Sequence, residues 1–374
     1  MRATSRGGSS PGACRVAARV VRTGCARTSI RERAVQLVSF ERAVPPPRPS
    51  ASIGAAGLGF EALEGVTQGA RRLGALLAAG TRAGSIVDLN RALAVKLAAQ
   101  DAGAPEAEAN SLLPADALAF SRRLPDAERA ARDVIRWVES AVERYDGPDL
   151  IAAGVVTPRR HVRLAAPVPR PGKIVGISCN YAPAGERDAP EEPVFFLEAP
   201  SALGGPEDEL RLPASDEPVG FEGGLAVVIG RTARAVSRDD AQGCVAGYCV
   251  ALDFRFGDAA DPLARSRDGS TLVGPALVTR DEIGDPQQLG LRVLLSRRPL
   301  QTARTATMLF PVPELIARVS ARVTLEPGDL LLTGGLPSPP ARLARPLRDG
   351  DVVEVEIERI GKLATYVRAA GSGT

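Results

Sequence analysis

The sequence predicts an α+β protein dominated by β-strands, and three observations indicate this class. From Lys173 onward, short apolar runs of strand length alternate with turn residues. The preceding half is mixed and contains one long helical pattern, between Pro125 and Gly147. A Pro- and Arg-rich stretch separates the two halves. The expected organisation is a disordered basic leader (1–33), a small mixed N-terminal domain (34–158), a linker (159–172) and a β-dominated C-terminal domain (173–370).

The N-terminal half contains the elements of a small mixed domain. Residues 35–40 alternate in the manner of a half-buried strand. Asp88 is placed to cap a helix over 89–102. Within the helix expected between residues 125 and 147, apolar side chains recur at helical spacing, so one face should be buried. These side chains are Val134, Val138, Ala141 and Val142.

The C-terminal half is predicted to be a series of strands joined by turns. The apolar runs cover residues 173–177, 224–229, 245–252, 291–295, 330–333 and 352–357. Turn signals at 349–351 and 360–362 flank the last of these strands. Residues 313–319 give the one convincing helix of this half, and no internal repeat is visible.

Composition excludes several functional classes. The chain has 374 residues, 44% hydrophobic and 24% charged, as in globular proteins. Its longest apolar run covers 225–229, far short of the roughly 20 residues that span a bilayer, so no membrane partner is expected. The net charge of +3 is the sum of +7 on residues 1–33 and −4 on the remaining residues. Aromatic residues make up only 4% of the chain. We therefore expect no nucleic-acid partner.

Residues 1–33 carry eight arginines, one acidic residue and no apolar core, so they are not a secretory signal. Two alternatives remain: an organelle transit peptide, or a stretch upstream of the true start. The second is favoured because arginine replaces lysine throughout the chain, which has only three lysines. The five cysteines form neither a disulfide framework nor a zinc motif, as is typical of a reducing compartment. The predicted location is cytoplasmic, with organelle targeting through residues 1–33 as the alternative.

The only histidine, His161, lies in the linker beside no nucleophile motif. Catalytic triads and histidine-based zinc chemistry are therefore not expected. An ordered series of blocks in the C-terminal half instead resembles the fumarylacetoacetate hydrolase family. The blocks are Lys173-Ile-Val-Gly-Ile-Ser-Cys-Asn180-Tyr181, Glu192-Pro-Val-Phe-Phe-Leu-Glu198, Val219-Gly-Phe-Glu222-Gly-Gly224, Val245-Ala-Gly-Tyr-Cys-Val-Ala-Leu252-Asp253, Thr333-Gly334 and residues 347–357.

The resemblance covers about 200 residues and implies a fumarylacetoacetase-type β-roll, usually dimeric, with a divalent metal at its mouth. The expected partners are a small-molecule keto acid and a second copy of the chain in a homodimer. Family members hold Mg²⁺ or Ca²⁺ with a Glu-x-Glu pair on one strand and an Asp after the next. By this resemblance Glu222 and Asp253 are metal ligands, whereas Gly224 stands at the third ligand position. Metal binding is therefore predicted to be weak or absent.

The resemblance also assigns the remaining roles. Arg265 and Asp268 are the candidate catalytic residues, with Arg265 in place of a lysine, and Tyr181, Thr333 and Gly334 are the candidate substrate-binding residues. The His-x-x-Glu pair of the family's mobile lid is replaced by Ala184 and Arg187, with Glu186 shifted by one position. Gly335 and Leu336 replace the Thr and Pro that complete the family's Thr-Gly-Thr-Pro loop.

These departures favour a catalytically impaired keto-acid-binding protein, a pseudoenzyme of the family. The alternative is a divergent, active, metal-dependent hydrolase, isomerase or decarboxylase that acts on a C–C bond or an enol of a keto acid. In that case Glu198 is a candidate relocated ligand, because it stands where relatives often carry lysine. A third carboxylate near Gly224 would distinguish the two hypotheses.

Overall fold

The computed structural model describes residues 35–43, 70–78, 81–100, 102–145, 148–181, 191–258, 260–338 and 345–370. The predicted leader 1–33 and the lid positions Ala184, Glu186 and Arg187 lie outside these ranges. No helix in the described ranges is both long and apolar enough to cross a bilayer.

Strands account for most of the regular structure, as the sequence predicts. They are β1 (Gln36–Arg42), β2 (Arg72–Leu76), β3 (Ile86–Asp88), β4 (Val156–Thr157), β5 (Val162–Ala165), β6 (Ile174–Ser178), β7 (Val194–Glu198), β8 (Leu203–Gly204), β9 (Leu210–Arg211), β10 (Val219–Ile229), β11 (Val245–Phe256), β12 (Thr271–Thr279), β13 (Gly290–Leu295), β14 (Arg298–Arg304), β15 (Leu330–Ser338), β16 (Val352–Ile357) and β17 (Gly361–Arg368). The helices are α1 (Leu89–Ala98), α2 (Pro105–Leu112), α3 (Ala117–Ser121), α4 (Asp126–Tyr145), α5 (Pro148–Ala152), α6 (Arg238–Ala241), α7 (Arg280–Ile283) and α8 (Val312–Ser320).

The chain divides into two compact units. The first comprises the described residues within 41–115 and 125–163, and the second those within 34–40, 116–124 and 164–374. In the first unit, β2, β3 and β4 form antiparallel pairs, and α1 contacts α2 and α4. The expected stripe of α4 is buried: Val134, Val138, Ala141 and Val142 are at most 3% exposed.

Helix α1 begins where the sequence predicts but ends earlier. The Asp88 side chain accepts a hydrogen bond from the Arg91 backbone N–H, which confirms its predicted role as the N-cap. The helix stops at Ala98 rather than near residue 102. Pro105 begins α2, and the residue before a proline is disfavoured in the helical conformation, so the chain leaves the helix before this point.

The second unit contains two sheets. One has the strand order β1-β12-β11-β10-β15-β6-β7, with β8 beside β12, and the other has the order β14-β13-β16-β17-β9. Strands β10 and β11 are almost entirely buried, which explains their long apolar runs. The core packs around them, with Phe221, Tyr248 and Phe254 among its largest buried side chains. Helix α8 covers the predicted 313–319 and buries Leu315 and Ile316.

Two local features lie within the predicted linker at 159–172. Residues Arg159–His161 form a 3-10 turn, and β5 follows directly. His161 is half-buried, and its backbone carbonyl accepts a hydrogen bond from the Ala43 N–H at 3.0 Å. This stretch is therefore ordered by hydrogen bonding and carries regular structure of its own.

Candidate functional site

Glu222 and Asp253 lie opposite each other on the two central strands of the larger sheet. They are direct register partners on antiparallel β10 and β11. Side chains in such a pair project from the same face with Cβ atoms roughly 5 Å apart. The next pair along, Phe221 and Phe254, fixes this register because both rings are buried, with centroids 5.9 Å apart. The two carboxylates are thus held together, with side chains only 18% and 8% exposed.

The Arg265 guanidinium bridges these two carboxylates. Its Nη2 donates to Glu222 Oε1 at 2.7 Å, and its Nη1 donates to Asp253 Oδ2. Its Cζ also lies 4.8 Å from the centroid of the Phe196 ring, within cation–π range. Burial lowers the pKa of Arg265, but attraction to Asp253 and Glu222 outweighs burial, so the net pKa is raised. The two predicted metal ligands are therefore paired with a permanent cation.

The loop between β11 and β12 fixes the position of Arg265. The Ser270 hydroxyl donates to the Arg265 carbonyl at 2.9 Å, and the Phe254 N–H donates to the Ser270 carbonyl at 2.8 Å. The Ser266 hydroxyl accepts from the Ala199 N–H at 3.1 Å, just beyond β7. The loop is thus tied to two strands, and the guanidinium is held in place by backbone contacts on both sides of it.

Glu198, at the end of β7, adds a third buried carboxyl group. It is 3% exposed and accepts a hydrogen bond from the Thr271 hydroxyl at 2.6 Å. Within the described part of the chain, Glu198 Oε1 and Asp253 Oδ1 have no hydrogen-bond partner. Burial raises the pKa of Glu198 well above its usual range, and the charge of Asp253 adds to this shift. Burial also raises the pKa of Asp253 to about 7, opposed by Arg265 and reinforced by Glu222.

The third ligand position, Gly224, is closed by backbone. A Cβ there would lie 2.1 Å from the Gly334 carbonyl oxygen, because β10 pairs closely with β15 at the register Gly224↔Gly335. A Cβ on Gly335 would likewise lie 2.3 Å from the Gly223 carbonyl oxygen. No side chain fits between these strands, so a carboxylate at position 224 requires the two strands to separate.

Two of the three predicted substrate-binding residues, Tyr181 and Thr333, are buried. Thr333 is fully buried and donates its hydroxyl to the Leu225 carbonyl at 3.0 Å. Asn180 donates to the Thr333 carbonyl at 2.7 Å and clamps Phe310 through two further hydrogen bonds. Tyr181 is 3% exposed, and burial raises the pKa of its hydroxyl. These groups fix the backbone beneath the site.

A narrow cavity lies against the two carboxylates. Its lining includes Glu222, Asp253, Gly224, Gly334 and Phe196. Of the predicted substrate-binding residues, Gly334 borders this cavity, whereas Tyr181 and Thr333 lie outside its lining. Asp268, predicted to act beside Arg265, is exposed to solvent, and Arg265 bonds to Glu222 and Asp253 instead.

Sequence reasoning missed Phe196 and Thr271. A usable signal exists for Phe196: it stands two residues before Glu198 on β7, so both side chains share one face of the strand. Gly176, its register partner on β6, leaves room for the ring, since a Cβ there would lie 2.2 Å from Phe196 Cζ. Thr271 offers no such signal, because its contact with Glu198 joins positions 73 residues apart.

The donor set does not fit the three-carboxylate metal site of the resemblance. Within the described residues, no group of three Asp, Glu, His or Cys side chains is arranged to hold a metal ion. The unpaired oxygens of Glu198 and Asp253 are the one feature that would suit a cation. The raised pKa of Glu198 offers another explanation for its unpaired oxygen, since a protonated carboxyl oxygen does not need a cation.

Comparison with known proteins agrees with this architecture. Residues 173–368 match the model of the fumarylacetoacetate (FAA) hydrolase C-terminal family. The 2,4-didehydro-3-deoxy-L-rhamnonate hydrolase of Sphingomonas sp. (strain SKA58) is 40% identical over 211 residues, covering 53% of this chain and 74% of the relative. The mitochondrial oxaloacetate tautomerase FAHD2A of Bos taurus is 37% identical over 224 residues, covering 57% of this chain and 71% of the relative.

A solved structure extends the likeness across both units. The maleylpyruvate hydrolase of Sphingobium sp. SYK-6, in complex with manganese(II) and pyruvate, is 27% identical with a TM-score of 0.58. The match covers 80% of this chain and 96% of that one. The strand-rich architecture, the ordered sequence blocks and the match over 173–368 lead to one conclusion: the chain belongs to the fumarylacetoacetate hydrolase family.

Proposed function

We propose that this chain binds a small keto acid beside Glu222 and Asp253, where the narrow cavity has room for about one water molecule and must widen to admit the ligand. We also propose that hydrolysis through a metal-activated water is strongly impaired in this chain. The observation that carries this proposal is the Arg265 guanidinium bonded to both carboxylates. Its charge suits a carboxylate or an enolate oxygen, since a guanidinium fork matches such groups geometrically. The same bonds occupy one oxygen of each carboxylate and place a positive charge beside the position that a catalytic cation would need.

Hydrolysis of a C–C bond also needs a base that activates water. Such general acid–base help contributes roughly 10²–10⁴-fold to a rate. The sequence positions of the family's lid pair carry Ala184 and Arg187, which supply no base near neutral pH. Loss of this base and of a bound cation acts on one concerted step, so restoring a single group is not expected to recover hydrolysis.

The test is C–C cleavage of acylpyruvates and oxaloacetate, followed together with pyruvate binding by ligand-observed NMR. We expect cleavage at least about a thousandfold below an enzyme median of roughly 10 per second. Saturable pyruvate binding should accompany it. Turnover near the median that is abolished by Asp253→Asn would defeat the impaired-hydrolase proposal, and absence of pyruvate binding would defeat the binding proposal.

The buried carboxyl groups favour a second candidate, keto–enol proton transfer. Glu198 and Asp253 each present an unpaired oxygen near the fixed charge of Arg265. Enolisation requires a proton carrier and a cation beside the developing enolate, and it needs neither a water nucleophile nor a leaving group. The name of one similar protein, oxaloacetate tautomerase, is consistent with this chemistry.

Ultraviolet absorbance of the enol form of oxaloacetate tests this candidate. Accelerated enol–keto exchange without C–C cleavage, lost in Asp253→Asn and reduced in Glu198→Gln, is the expected result. Exchange at the uncatalysed rate would leave keto-acid binding as the function of the site.

A further inference from the structure

A divalent ion and the Arg265 guanidinium compete for the same carboxylate oxygens. Glu222 Oε1 and Asp253 Oδ2 each accept a hydrogen bond from Arg265. Mg²⁺ and Mn²⁺ require several oxygen ligands at short range, so an ion that uses these two oxygens requires the guanidinium to leave them. An ion that uses only the other oxygen of each carboxylate would lie close to the positive charge of Arg265, which repels it. The Arg265 side chain is 13% exposed and lies over the Phe196 ring. Moving the guanidinium away from the carboxylates would break this aromatic contact as well.

The remaining ligand positions offer little compensation for the loss of these two oxygens. Gly224 has no side chain, and the Gly334 carbonyl fills the space where one would begin. Glu198 accepts a hydrogen bond from Thr271 at Oε2 and has an unpaired Oε1, but it belongs to no described group of three ligands suited to a metal ion. A divalent ion would therefore have to displace the Arg265 guanidinium or bind close to its positive charge.

The same loop supplies an internal comparison. Arg267 donates to both carboxylate oxygens of Glu217, at 2.6 and 2.7 Å, and its Cζ lies 4.6 Å from the centroid of the Phe256 ring. Arg265 and Arg267 thus each combine a carboxylate contact with an aromatic contact. They differ in that Arg265 bonds to the two carboxylates that line the cavity.

We propose that Arg265 is the resident cation of this site: it excludes divalent metal ions from Glu222 and Asp253 and binds the anionic group of a keto acid without a metal. The ligand half of this statement rests on the proposed function, whereas the exclusion of metal does not. This separates the chain from a relative whose structure holds manganese(II) with pyruvate.

The metal half is tested by titrating Mn²⁺ into the full chain and following free Mn²⁺ by electron paramagnetic resonance. The wild type and Arg267→Gln should show no saturable binding below the millimolar range. Arg265→Gln should bind Mn²⁺ at least about tenfold more tightly, because a positive charge is removed from contact with two carboxylates. Stoichiometric micromolar binding by the wild type overturns the proposal, and so does a folded Arg265→Gln variant that binds Mn²⁺ no more tightly.

The ligand half is tested with pyruvate in EDTA. The wild-type dissociation constant should change less than about twofold when EDTA is added, should rise at least about tenfold in Arg265→Gln, and should be unchanged in Arg267→Gln. Thermal unfolding reports whether Arg265→Gln is folded; if it is not, the wild-type Mn²⁺ titration and EDTA comparison still decide each half. Pyruvate binding abolished by EDTA overturns metal-free binding. Absence of pyruvate binding under all conditions defeats the proposed function and leaves the Mn²⁺ result to decide metal exclusion.

Discussion

The carbonyl oxygen of Gly334 lies 2.1 Å from the point where a Cβ on Gly224 would sit. This closeness arises because β10 and β15 pair through glycines on both strands, with a register shift between Gly224 and Ala226. Gly334 itself has φ +74°, which glycine adopts without strain. The position of the third metal ligand in the family resemblance is therefore filled by a backbone contact between β10 and β15.

Replacing Gly224 by alanine should destabilise the protein. Because backbone rather than a flexible side chain must move, we expect the free energy of unfolding to fall by about 2–4 kcal/mol in urea titrations. Gly243→Ala is the matched control, since nothing lies within 4 Å of a Cβ at that position. Equal stability of the two variants would show that β10 and β15 separate readily.

Glu198→Gln should reduce the loss of stability at rising pH. The folded-state pKa of Glu198 is raised, so the folded chain binds more protons than the unfolded chain above the ordinary glutamate pKa of about 4.3. The free energy of unfolding then falls as the pH rises from about 4.3 toward the folded-state pKa of Glu198. Glutamine does not titrate, so the substitution removes this pH dependence. Unfolding free energies between pH 5 and 8 check the slope. Parallel wild-type and variant curves would contradict the assignment of a buried, protonated carboxyl group.

Asp88→Ala should strongly destabilise the first unit. Asp88 is fully buried and accepts hydrogen bonds from the guanidinium groups of Arg42, at 3.1 Å, and Arg72, at 2.6 and 3.0 Å. Removing it leaves buried positive charge without its partner, which costs about 3–5 kcal/mol. Asp126→Ala, which breaks an ion pair whose carboxylate is 79% exposed, should cost less than about 1 kcal/mol in the same measurement.

Asp351→Asn should remove an acid-dependent part of the stability. Hydrogen bonding from Arg345 is the main cause that lowers the pKa of Asp351 to about 2. A depressed pKa contributes stability above the ordinary aspartate value of about 3.9, and this contribution is lost as the pH falls through about 2. The wild type should lose about 1–2 kcal/mol over this window relative to the variant. Exposed Asp239→Asn serves as the control in denaturant titrations at pH 5, 3 and 2.

The sequence was sufficient for the family and the fold class. Strands and helices that depend on local periodicity and capping, such as α8, α4 and the Asp88 cap, agree with their predictions. The cross-strand partnership of Glu222 and Asp253 agrees with what the resemblance implies about their proximity. The homodimer, the domain boundaries and the cytoplasmic location stay predictions.

The remainder of the site depends on contacts between distant segments. The position of Arg265 follows from a loop tied to β11 and β7, and the closure at Gly224 follows from the register of β15. Neither the position of Arg265 nor the closure at Gly224 can be predicted from residue spacing or periodicity. The sequence therefore identified the missing groups and named Arg265 as a candidate, but it did not predict that Arg265 bonds to both remaining carboxylates.

Among the described strands, β7 pairs with β6 alone, yet it supplies both Phe196 and Glu198 to the site. Val194 and Leu197 on this strand are 57% and 61% exposed, whereas Phe195 and Phe196 are partly buried, so two of its four apolar side chains contribute little burial. Strands of this kind open by local fluctuations well below the free energy of global unfolding. When β7 detaches, Arg265 loses its aromatic neighbour and the site loses a carboxyl group in the same event. Hydrogen exchange at β7 amides thus measures how often Phe196 and Glu198 are in place beside Arg265.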